Sequence, residues 1–176
     1  ILDGDAKGRV LNQASDFAAL TVWSNFTIQN GGSQEAPSDK RGFGVVLKKN
    51  GRVQDCLIQN NKYNLTTECD GGGLSTNSSK FDNDTVAINC IVRNNKSTHA
   101  GGVYLNGKAI IINSIIENDS TMNNAAGGVQ LHDGAQMLNC IVRNNYCNGD
   151  MGGVRLTANS STPVACTVAN CLIYGN

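Results

Sequence analysis

The charged residues with the most regular spacing lie in a repeated heptapeptide. NCIVRNN occurs twice, with Arg93 and Arg143 at its fifth position, and the related segment NSIIEND places Glu117 at the same point between them. Aligned in a row, these side chains could form a cationic surface for an acidic glycan. Alternatively, they form a surface ladder in which opposite charges on adjacent strands stabilise each other modestly. The ladder is the simpler interpretation, and the three residues remain candidates for ligand binding.

Two further candidates lie in a second repeated motif, a glycine pair followed by an apolar, a variable and an apolar residue. GGVYL places Tyr104 at the variable position, and GGVRL places Arg155 there. The equivalent residues in other copies are Val46, Ser75 and Gln130. Free variation of this kind is typical of a solvated face. The sequence therefore predicts that Tyr104 and Arg155 point outward and are available to a ligand.

Residues suited to catalysis or metal binding are sparse. His99 and His132 belong to no arrangement with Asp and Ser and to no metal-ligand spacing. Carboxylates cluster at 68–73 and 81–85, but neither segment has the ligand spacing of a calcium loop, and the turn chemistry of Asn and Asp explains both. We therefore predict no catalytic residue, no metal site and no cofactor, with Ca²⁺ as the alternative that these carboxylates leave open.

The seven cysteines do not have the pattern of a disulfide framework. Four of them hold the second position of the heptapeptide in different copies: Cys56, Cys90, Cys140 and Cys171. Small buried side chains stacked along an axis suit that position, and the lack of any C-x-x-C argues against zinc. Cys69 and Cys147 lie in loops and Cys166 begins a strand, so one pair among these three could form a disulfide.

These positions recur because the chain is built from repeats. Copies of the heptapeptide begin at residues 25, 55, 89, 113, 139 and 170, and glycine motifs lie between them. The second glycines of successive motifs are 25 to 29 residues apart. The unit is a strand, an Asn–Asn turn, a variable loop, a glycine pair, a second strand and a turn. Each strand has only a narrow apolar face, which becomes buried when equivalent strands of neighbouring units stack.

Alternation along the strands assigns the faces of this stack. It predicts that Ile88, Cys90 and Val92 point inward while Ile91 and Arg93 point outward. The residues equivalent to Ile88 in the next two copies are Ile112 and Leu138. The chain is therefore predicted to be all-β, a single-stranded right-handed parallel β-helix of about five to six coils. Residues 1–176 form a single domain, which we interpret as a fragment of a longer chain because it opens and stops inside repeats.

The Asn–Asn pair at the end of the heptapeptide predicts a hydrogen-bonded ladder. Its first asparagines fall in one column: Asn30, Asn60, Asn94, Asn118 and Asn144. Stacked amides can hydrogen-bond along the axis of such a column. The next column is Gly31, Asn61, Asn95, Asp119, Asn145 and Asn176. We expect that second column to adopt positive φ, which Gly, Asn and Asp tolerate.

An aliphatic column on the outward side of the same strand could contact another chain. Its members are Leu57, Ile91, Ile115, Ile141 and Leu172. Exposed contiguous apolar surface usually marks a contact, but long loops that fold back over the column explain it more simply. Otherwise the chain self-associates here, or through the unpaired strand edges at the open coil ends.

Charge and hydropathy exclude two classes of partner. The chain has 14 basic and 14 acidic residues and a formal net charge of zero, with no basic stripe that would indicate nucleic acid. The unbroken apolar runs are too short to span a bilayer. We therefore predict no nucleic-acid binding and no membrane insertion.

Taken together, GGVYL, NCIVRNN and their copies resemble the right-handed parallel β-helix repeats of the pectin-lyase-like superfamily. The resemblance is closest to bacterial surface and secreted repeat proteins of the polymorphic-outer-membrane-protein type. It covers residues 26–176, with residues 2–11 expected to form an earlier coil. It implies the fold but not the function, because such proteins range from polysaccharide lyases and glycoside hydrolases to adhesins without catalysis.

Two functional hypotheses follow from this resemblance. The preferred one is a non-catalytic module of a secreted or cell-surface bacterial protein that presents its outward columns to a glycan or a protein. The alternative is a fragment of a polysaccharide lyase or glycoside hydrolase. Acidic and basic side chains clustered on two or three adjacent outward positions, beside a groove, would favour the enzyme.

Overall fold

The computed structural model describes residues 1–33, 38–63, 67–77, 81–82, 84–123, 125–149, 151–158 and 163–176. Within these ranges every regular element is a short β-strand, and there is no helix of the length and apolarity that crossing a membrane requires. The strands pair only in parallel and form four sheets. The predicted all-β class is confirmed.

The strands are numbered β1 to β22 in chain order. Sheet 1 contains β1 Leu2–Asp3, β4 Thr27–Gln29, β7 Leu57–Gln59, β10 Ile91–Arg93, β14 Ile115–Glu117, β18 Ile141–Arg143 and β22 Leu172–Tyr174. Sheet 2 contains β11 Lys96–Ser97, β15 Ser120–Thr121 and β19 Tyr146–Cys147. Sheet 3 contains β2 Leu11–Asn12, β5 Val45–Leu47, β8 Leu74–Thr76, β12 Val103–Leu105, β16 Val129–His132 and β20 Val154–Thr157. Sheet 4 contains β3 Thr21–Ser24, β6 Gly51–Gln54, β9 Thr85–Ile88, β13 Ile110–Ile112, β17 Gln136–Leu138 and β21 Thr167–Ala169.

From β10 onward the chain visits the sheets in the order 1, 2, 3 and 4 and then begins the next coil on sheet 1. In the earlier coils it passes from sheet 1 to sheet 3 without a strand of sheet 2 among the described residues. Equivalent residues of successive heptapeptides pair in register, so that Val92 lies between Ile58 and Ile116. The same holds on sheet 3, where Val103 lies between Leu74 and Val129. The prediction of a parallel β-solenoid is therefore confirmed, with about five turns.

The corner between sheets 4 and 1 is made by one residue per coil in left-handed conformation. These residues are Asn25, Asp55, Asn89, Asn113, Asn139 and Asn170, with φ between 51° and 62°. Asn and Asp tolerate this conformation better than other side chains do. Because the corner residue turns the chain, the alternation does not continue through it.

This turn corrects part of the predicted core. Ala87, Ile111 and Met137 are fully buried, two residues before the corner. The residues that alternation assigned inward are only half-buried on the outward side: Ile88, Ile112 and Leu138. After the corner the prediction is correct for the inner coils, since Cys90, Val92 and their equivalents there are buried, but on the last coil Ile173 is 44% exposed.

The corner between sheets 1 and 2 contains the ladder, but with the two predicted columns exchanged. The first asparagines adopt the left-handed conformation, with φ of 54° to 57°: Asn30, Asn60, Asn94, Asn118 and Asn144. The second column forms the ladder instead: Gly31, Asn61, Asn95, Asp119, Asn145 and Asn176. Each ladder oxygen accepts a backbone N–H of the preceding coil at 2.7 to 3.0 Å. A left-handed first residue points the second side chain into the stack, where its amide is buried.

The glycine pairs lie where the chain passes close to this ladder. A Cβ atom on Gly102 would lie 2.4 Å from Asp119 Oδ2, and one on Gly128 would lie 2.8 Å from Asn145 Nδ2. No side chain fits at those distances, which explains why the motif begins with glycines. The predicted inward pairs of sheet 3, such as Val103 with Leu105, are fully buried on the inner coils, whereas Leu156 on the last coil is 53% exposed.

The cysteines of the heptapeptide form a buried axial file. Cys56, Cys90 and Cys140 are at most 2% exposed, and the backbone N–H of Cys140 donates to Cys171 Sγ at 3.4 Å. All seven cysteines are free thiols, including the three that could have formed a bridge. Burial raises the pKa of Cys140 to about 11 and that of Cys69 to about 12, so both thiols stay protonated at neutral pH.

The aliphatic column lies in register on the outward side of sheet 1. Ile91 is 37% exposed and Leu172 57% exposed, while Leu57, Ile115 and Ile141 are half-buried. Parts of the two loops that were expected to cover it, residues 34–37 and 64–66, lie outside the described residues. Self-association through this column or through the coil ends stays a prediction.

Candidate functional site

The predicted charged column lies in register on the outward face of sheet 1, with Glu117 between Arg93 and Arg143. Arg143 Nε donates to Glu117 Oε2 at 2.7 Å, and its Nη1 donates to the Tyr174 hydroxyl at 3.1 Å. Arg93 donates instead to Gln59 Oε1, at 2.9 and 3.0 Å. The sequence thus brought these residues together correctly. Their polar groups are engaged mainly with one another.

Tyr104 and Arg155 lie on a different face, the outward side of sheet 3. The full row there is Asn12, Val46, Ser75, Tyr104, Gln130 and Arg155. The expectation that this row is solvated is wrong for its centre. Val46 and Ser75 are fully buried, and only 7% of Tyr104 and 9% of Gln130 is exposed.

The row is buried because the segments that precede the glycine pairs fold over it. The Arg41 guanidinium carbon lies 4.7 Å from the centre of the Tyr104 ring, within the range of a cation–π contact. At Gly71, a Cβ atom would lie 3.0 Å from Ser75 Cβ, so the backbone passes directly over that serine. Charged side chains therefore cover part of a face that was predicted to be exposed to solvent.

We call these covering side chains the charged cluster. It consists of Arg9, Asp39, Arg41, Glu68, Asp70 and His99. Arg9 binds both carboxylate oxygens of Asp39, at 2.7 and 3.1 Å, in the bidentate geometry that makes such pairs strong. Arg41 Nη1 binds Asp70 Oδ2. Burial opposes ionisation of Asp39, but the hydrogen bond and charge of Arg9 outweigh it and lower the pKa of the carboxyl.

Among the side chains of the charged cluster, His99 is the one whose ordinary pKa lies closest to neutral pH. Its Nδ1 lies 3.3 Å from Glu68 Oε1 and 3.5 Å from Asp70 Oδ1. The hydrogen bond and charge of Asp70, with the charge of Glu68, raise the pKa of His99 against the opposing effects of burial and of Arg155. The imidazole is therefore an acid–base group beside two carboxylates and above the Tyr104 row.

Several polar atoms of this face have no hydrogen-bond partner among the described residues. They are Arg41 Nε, Ser75 Oγ and Gln130 Oε1, all buried. The Gln130 side chain uses only its amide nitrogen, which donates weakly to Thr157 Oγ1 at 3.5 Å. Buried polar groups are normally paired, so these three atoms are exceptions, enclosed by the segments that cover the row.

No group of three or more His, Cys, Asp or Glu side chains within the described ranges has the arrangement of a metal site. In the first acidic segment, Glu68 pairs with Lys40 at 3.1 Å, and Asp70 pairs with Arg41. The second segment falls partly outside the described residues, because Asn83 is not among them. Binding of Ca²⁺ stays untested.

The charged cluster was not predicted, although the sequence holds one signal for it. Arg41, Asp70 and His99 each stand three positions before the second glycine of the motif, and bridges between adjacent coils join them. Extending the repeat alignment by two residues would have placed these three titratable side chains in one column. Asp39 and Glu68 lie in loops of unequal length, where a repeat alignment has no register.

Comparison of the chain with protein-family models, curated proteins and solved structures gives no significant match.

Proposed function

We propose that this chain is a non-catalytic β-solenoid module that binds a glycan on the outward face of sheet 3, as part of a secreted or cell-surface protein. The observation that carries the proposal is the row Tyr104, Gln130 and Arg155, which lie in register on successive coils beside the charged cluster. The Arg155 side chain is half-buried and can donate to a sugar hydroxyl. The enclosed atoms Ser75 Oγ and Gln130 Oε1 become available to a ligand only when the covering segments move aside.

The order of side chains along the row also suits a sugar. Tyr104, Gln130 and Arg155 lie in register on three successive coils, with strands roughly 4.8 Å apart. The Tyr104 ring, which Arg41 covers, forms the rigid base of this row, while the amide and guanidinium groups beside it can fix the orientation of a ligand. The charges beside them are paired within the charged cluster, which favours an uncharged, hydroxyl-rich ligand at this face.

The proposal is tested by affinity electrophoresis in a panel of neutral polysaccharides. In a variant with Gln130→Leu and Arg155→Met, we expect binding to weaken by about tenfold or more, because the loss of hydrogen bonds worth about 1.4 kcal/mol has that effect. Arg143→Met on sheet 1 is the matched control and should leave binding unchanged. Equal weakening in the control, or no binding of any glycan by the natural chain, would remove this function.

A second candidate function, a fragment of a polysaccharide lyase or glycoside hydrolase, is favoured by His99. An imidazole with a raised pKa, held beside Asp70 and Glu68 and close to Arg41, has the components of acid–base chemistry on an acidic sugar. Incubation with uronate polysaccharides, followed by ultraviolet absorbance of unsaturated products, tests it. Product release that disappears in His99→Gln would replace the first proposal with this one.

A further inference from the structure

A separate groove follows the outside of the ladder corner, on the opposite side of sheet 1 from sheet 4. Part of it is a cavity of about 480 Å³ lined by Lys62, Asn94, Asn95, Lys96, Asn118 and Ser120. None of these residues belongs to the sheet 3 face or to the charged cluster. The cavity lining contains two basic side chains and no carboxylate.

The two lysines are held side by side by the fold. Lys62 and Lys96 are bridge partners on adjacent coils, where strands are roughly 4.8 Å apart and like charges repel. Neither ammonium group forms an ion pair with a carboxylate of a described residue. Two carboxyl groups of the next coil are engaged elsewhere: Glu117 is bound by Arg143 at 2.6 Å, and the buried Asp119 accepts from Asn95 through Oδ1. The pair is thus an uncompensated concentration of positive charge in a chain whose formal net charge is zero.

Neutral donors surround the lysines. Asn94 and Asn118 occupy the left-handed corner, so their side-chain amides stay outside the ladder and have no hydrogen-bond partner among the described residues. The Ser120 hydroxyl lies on the next coil, beside Lys96. Two ammonium groups, two amides and a hydroxyl therefore converge on one open cavity.

These donors fit a tetrahedral oxyanion better than a planar carboxylate. A carboxylate is best matched by the flat fork of arginine, whereas lysine acts as a point charge with three donors that can be rotated to suit a tetrahedral group. Arg93, the nearest guanidinium in the sequence, is directed to Gln59 instead. We propose that this groove binds the sulfate or phosphate ester groups of a substituted glycan, a ligand class that rests on the proposed glycan-binding function but uses a separate site.

The acidic end of the groove limits the length of this site. Lys62 also borders a neighbouring cavity of about 720 Å³, whose lining includes Asp3 and Asp5. Hydrogen bonds from Gln29, the Asp5 backbone and Asn30 lower the pKa of Asp3, so its carboxylate is charged at neutral pH. An anion is therefore attracted between Lys62 and Lys96 and repelled two coils further on, where Asp3 lies.

The test uses one glucan backbone with different substituents: dextran, carboxymethyl dextran, dextran sulfate and dextran phosphate, matched in length and degree of substitution. Calorimetry should detect binding of the sulfate and phosphate polymers and clearly weaker binding of the carboxymethyl polymer. With Lys62→Gln and Lys96→Gln combined, we expect a loss of about a hundredfold, about tenfold for each lost charged hydrogen bond. Both side chains lie at the surface, so the variant should keep its fold.

The control removes the same formal charge elsewhere, by Lys49→Gln and Lys108→Gln. An equal loss of affinity in this control would mean that binding is non-specific charge attraction, and equal binding of carboxymethyl dextran would remove the preference for tetrahedral groups. Either result overturns the inference. Neutral-glycan binding that still depends on Gln130 and Arg155 would leave the proposed function standing, whereas binding of dextran sulfate alone would support the groove and not the sheet 3 face.

Discussion

The ladder corner and the outward face of sheet 3 both place polar side chains in axial rows, yet they satisfy them differently. In the ladder, the same residue type recurs on most coils, and each asparagine accepts an N–H from the preceding coil and donates to a carbonyl there, as Asn145 does to Ile116 at 3.1 Å. On sheet 3 every coil contributes a different side chain, and Ser75 Oγ and Gln130 Oε1 have no partner within the described residues.

The difference suggests a division of roles, in which the ladder stabilises the fold and the sheet 3 row binds a ligand. A repeated amide fits the same environment on every coil, so its hydrogen bonds are complete without a ligand. A row of varied residues cannot form such a ladder, so some of its buried donors and acceptors stay unpaired within the described residues. If this distinction is correct, mutations in the ladder reduce stability, and mutations on sheet 3 mainly reduce binding.

The largest expected effect comes from removing one rung of the ladder. Asn95 is 1% exposed, its Oδ1 accepts from the backbone and side chain of Asn61, and its Nδ2 donates to Ile58 O. Asn95→Ala leaves the backbone N–H and side-chain amide of Asn61 and the carbonyl of Ile58 buried without these partners. Each such group costs about 1–3 kcal/mol, so the free energy of unfolding should fall by about 3–5 kcal/mol, measured by urea denaturation.

The neighbouring residue gives the matched control. Asn94 has φ of 54° and a side chain outside the ladder, and glycine adopts this conformation without strain. Asn94→Gly should therefore change the free energy of unfolding by less than about 1 kcal/mol. A larger cost for Asn94→Gly than for Asn95→Ala would restore the first column as the ladder and reverse the assignment made from the hydrogen bonds.

The next largest effect is expected at Asp119, where the ladder carries a carboxyl group. Its Oδ1 accepts from the backbone and side chain of Asn95, while its buried Oδ2 has no partner within the described ranges. In the asparagine rungs, the side-chain nitrogen occupies the position of this oxygen and donates an N–H to a backbone carbonyl. Complete burial raises the pKa of Asp119 well above its ordinary value, although the hydrogen bonds from Asn95 act in the opposite direction.

This shift has a definite sign in the stability of the protein. Below the ordinary value of 3.8 both states are protonated. As pH rises above it, the unfolded state ionises first and stability falls until the folded-state pKa is reached. Asp119→Asn should remove this pH dependence and raise the free energy of unfolding at neutral pH by about 1–3 kcal/mol. A variant no more stable than the natural chain at neutral pH would show that the charged carboxylate is accommodated.

The sequence was sufficient for most of the stack because the physics that forms it is repetitive. Copies of NCIVRNN fix the register, and the buried positions of Cys90 and Val92 follow from alternation. Alternation failed at Ile88 because the left-handed Asn89 turns the chain between the two sheets. Both asparagine columns carry residues that tolerate positive φ, so composition alone does not show which column turns and which column bonds.

The candidate site could be predicted only in part, for a related reason. Tyr104 and Arg155 stand at the row that alternation identifies, but the residues that cover them come from loops whose lengths differ between coils. The bidentate pair between Arg9 and Asp39 joins positions 30 residues apart, which no repeat relates. Contacts of this kind depend on how the loops fold over the sheet.

A smaller effect on stability is expected at His99, in the charged cluster that covers the varied row of sheet 3. Its pKa is raised chiefly by Asp70, so the stability that it contributes is fully present below its ordinary value of 6.5 and is lost as pH rises through the folded-state value. Because the pair is partly exposed, the contribution should stay below about 1 kcal/mol. Urea denaturation of the natural chain and of His99→Gln at mildly acidic and mildly alkaline pH should show a difference only under acidic conditions. A difference that persists at alkaline pH would mean that His99 acts through packing.

The smallest effect is expected in the charged column of sheet 1. Glu117 and Arg143 form a close ion pair, but the Arg143 side chain is 37% exposed. Exposed pairs contribute little because water screens them. Glu117→Gln should therefore lower the free energy of unfolding by less than about 1 kcal/mol, and a double-mutant cycle with Arg143→Met measures the coupling directly. A coupling as large as the loss in Asn95→Ala would mean that a solvated row of unlike residues stabilises the stack as well as a buried ladder does. The distinction between repeated and varied rows would then no longer separate stability from binding.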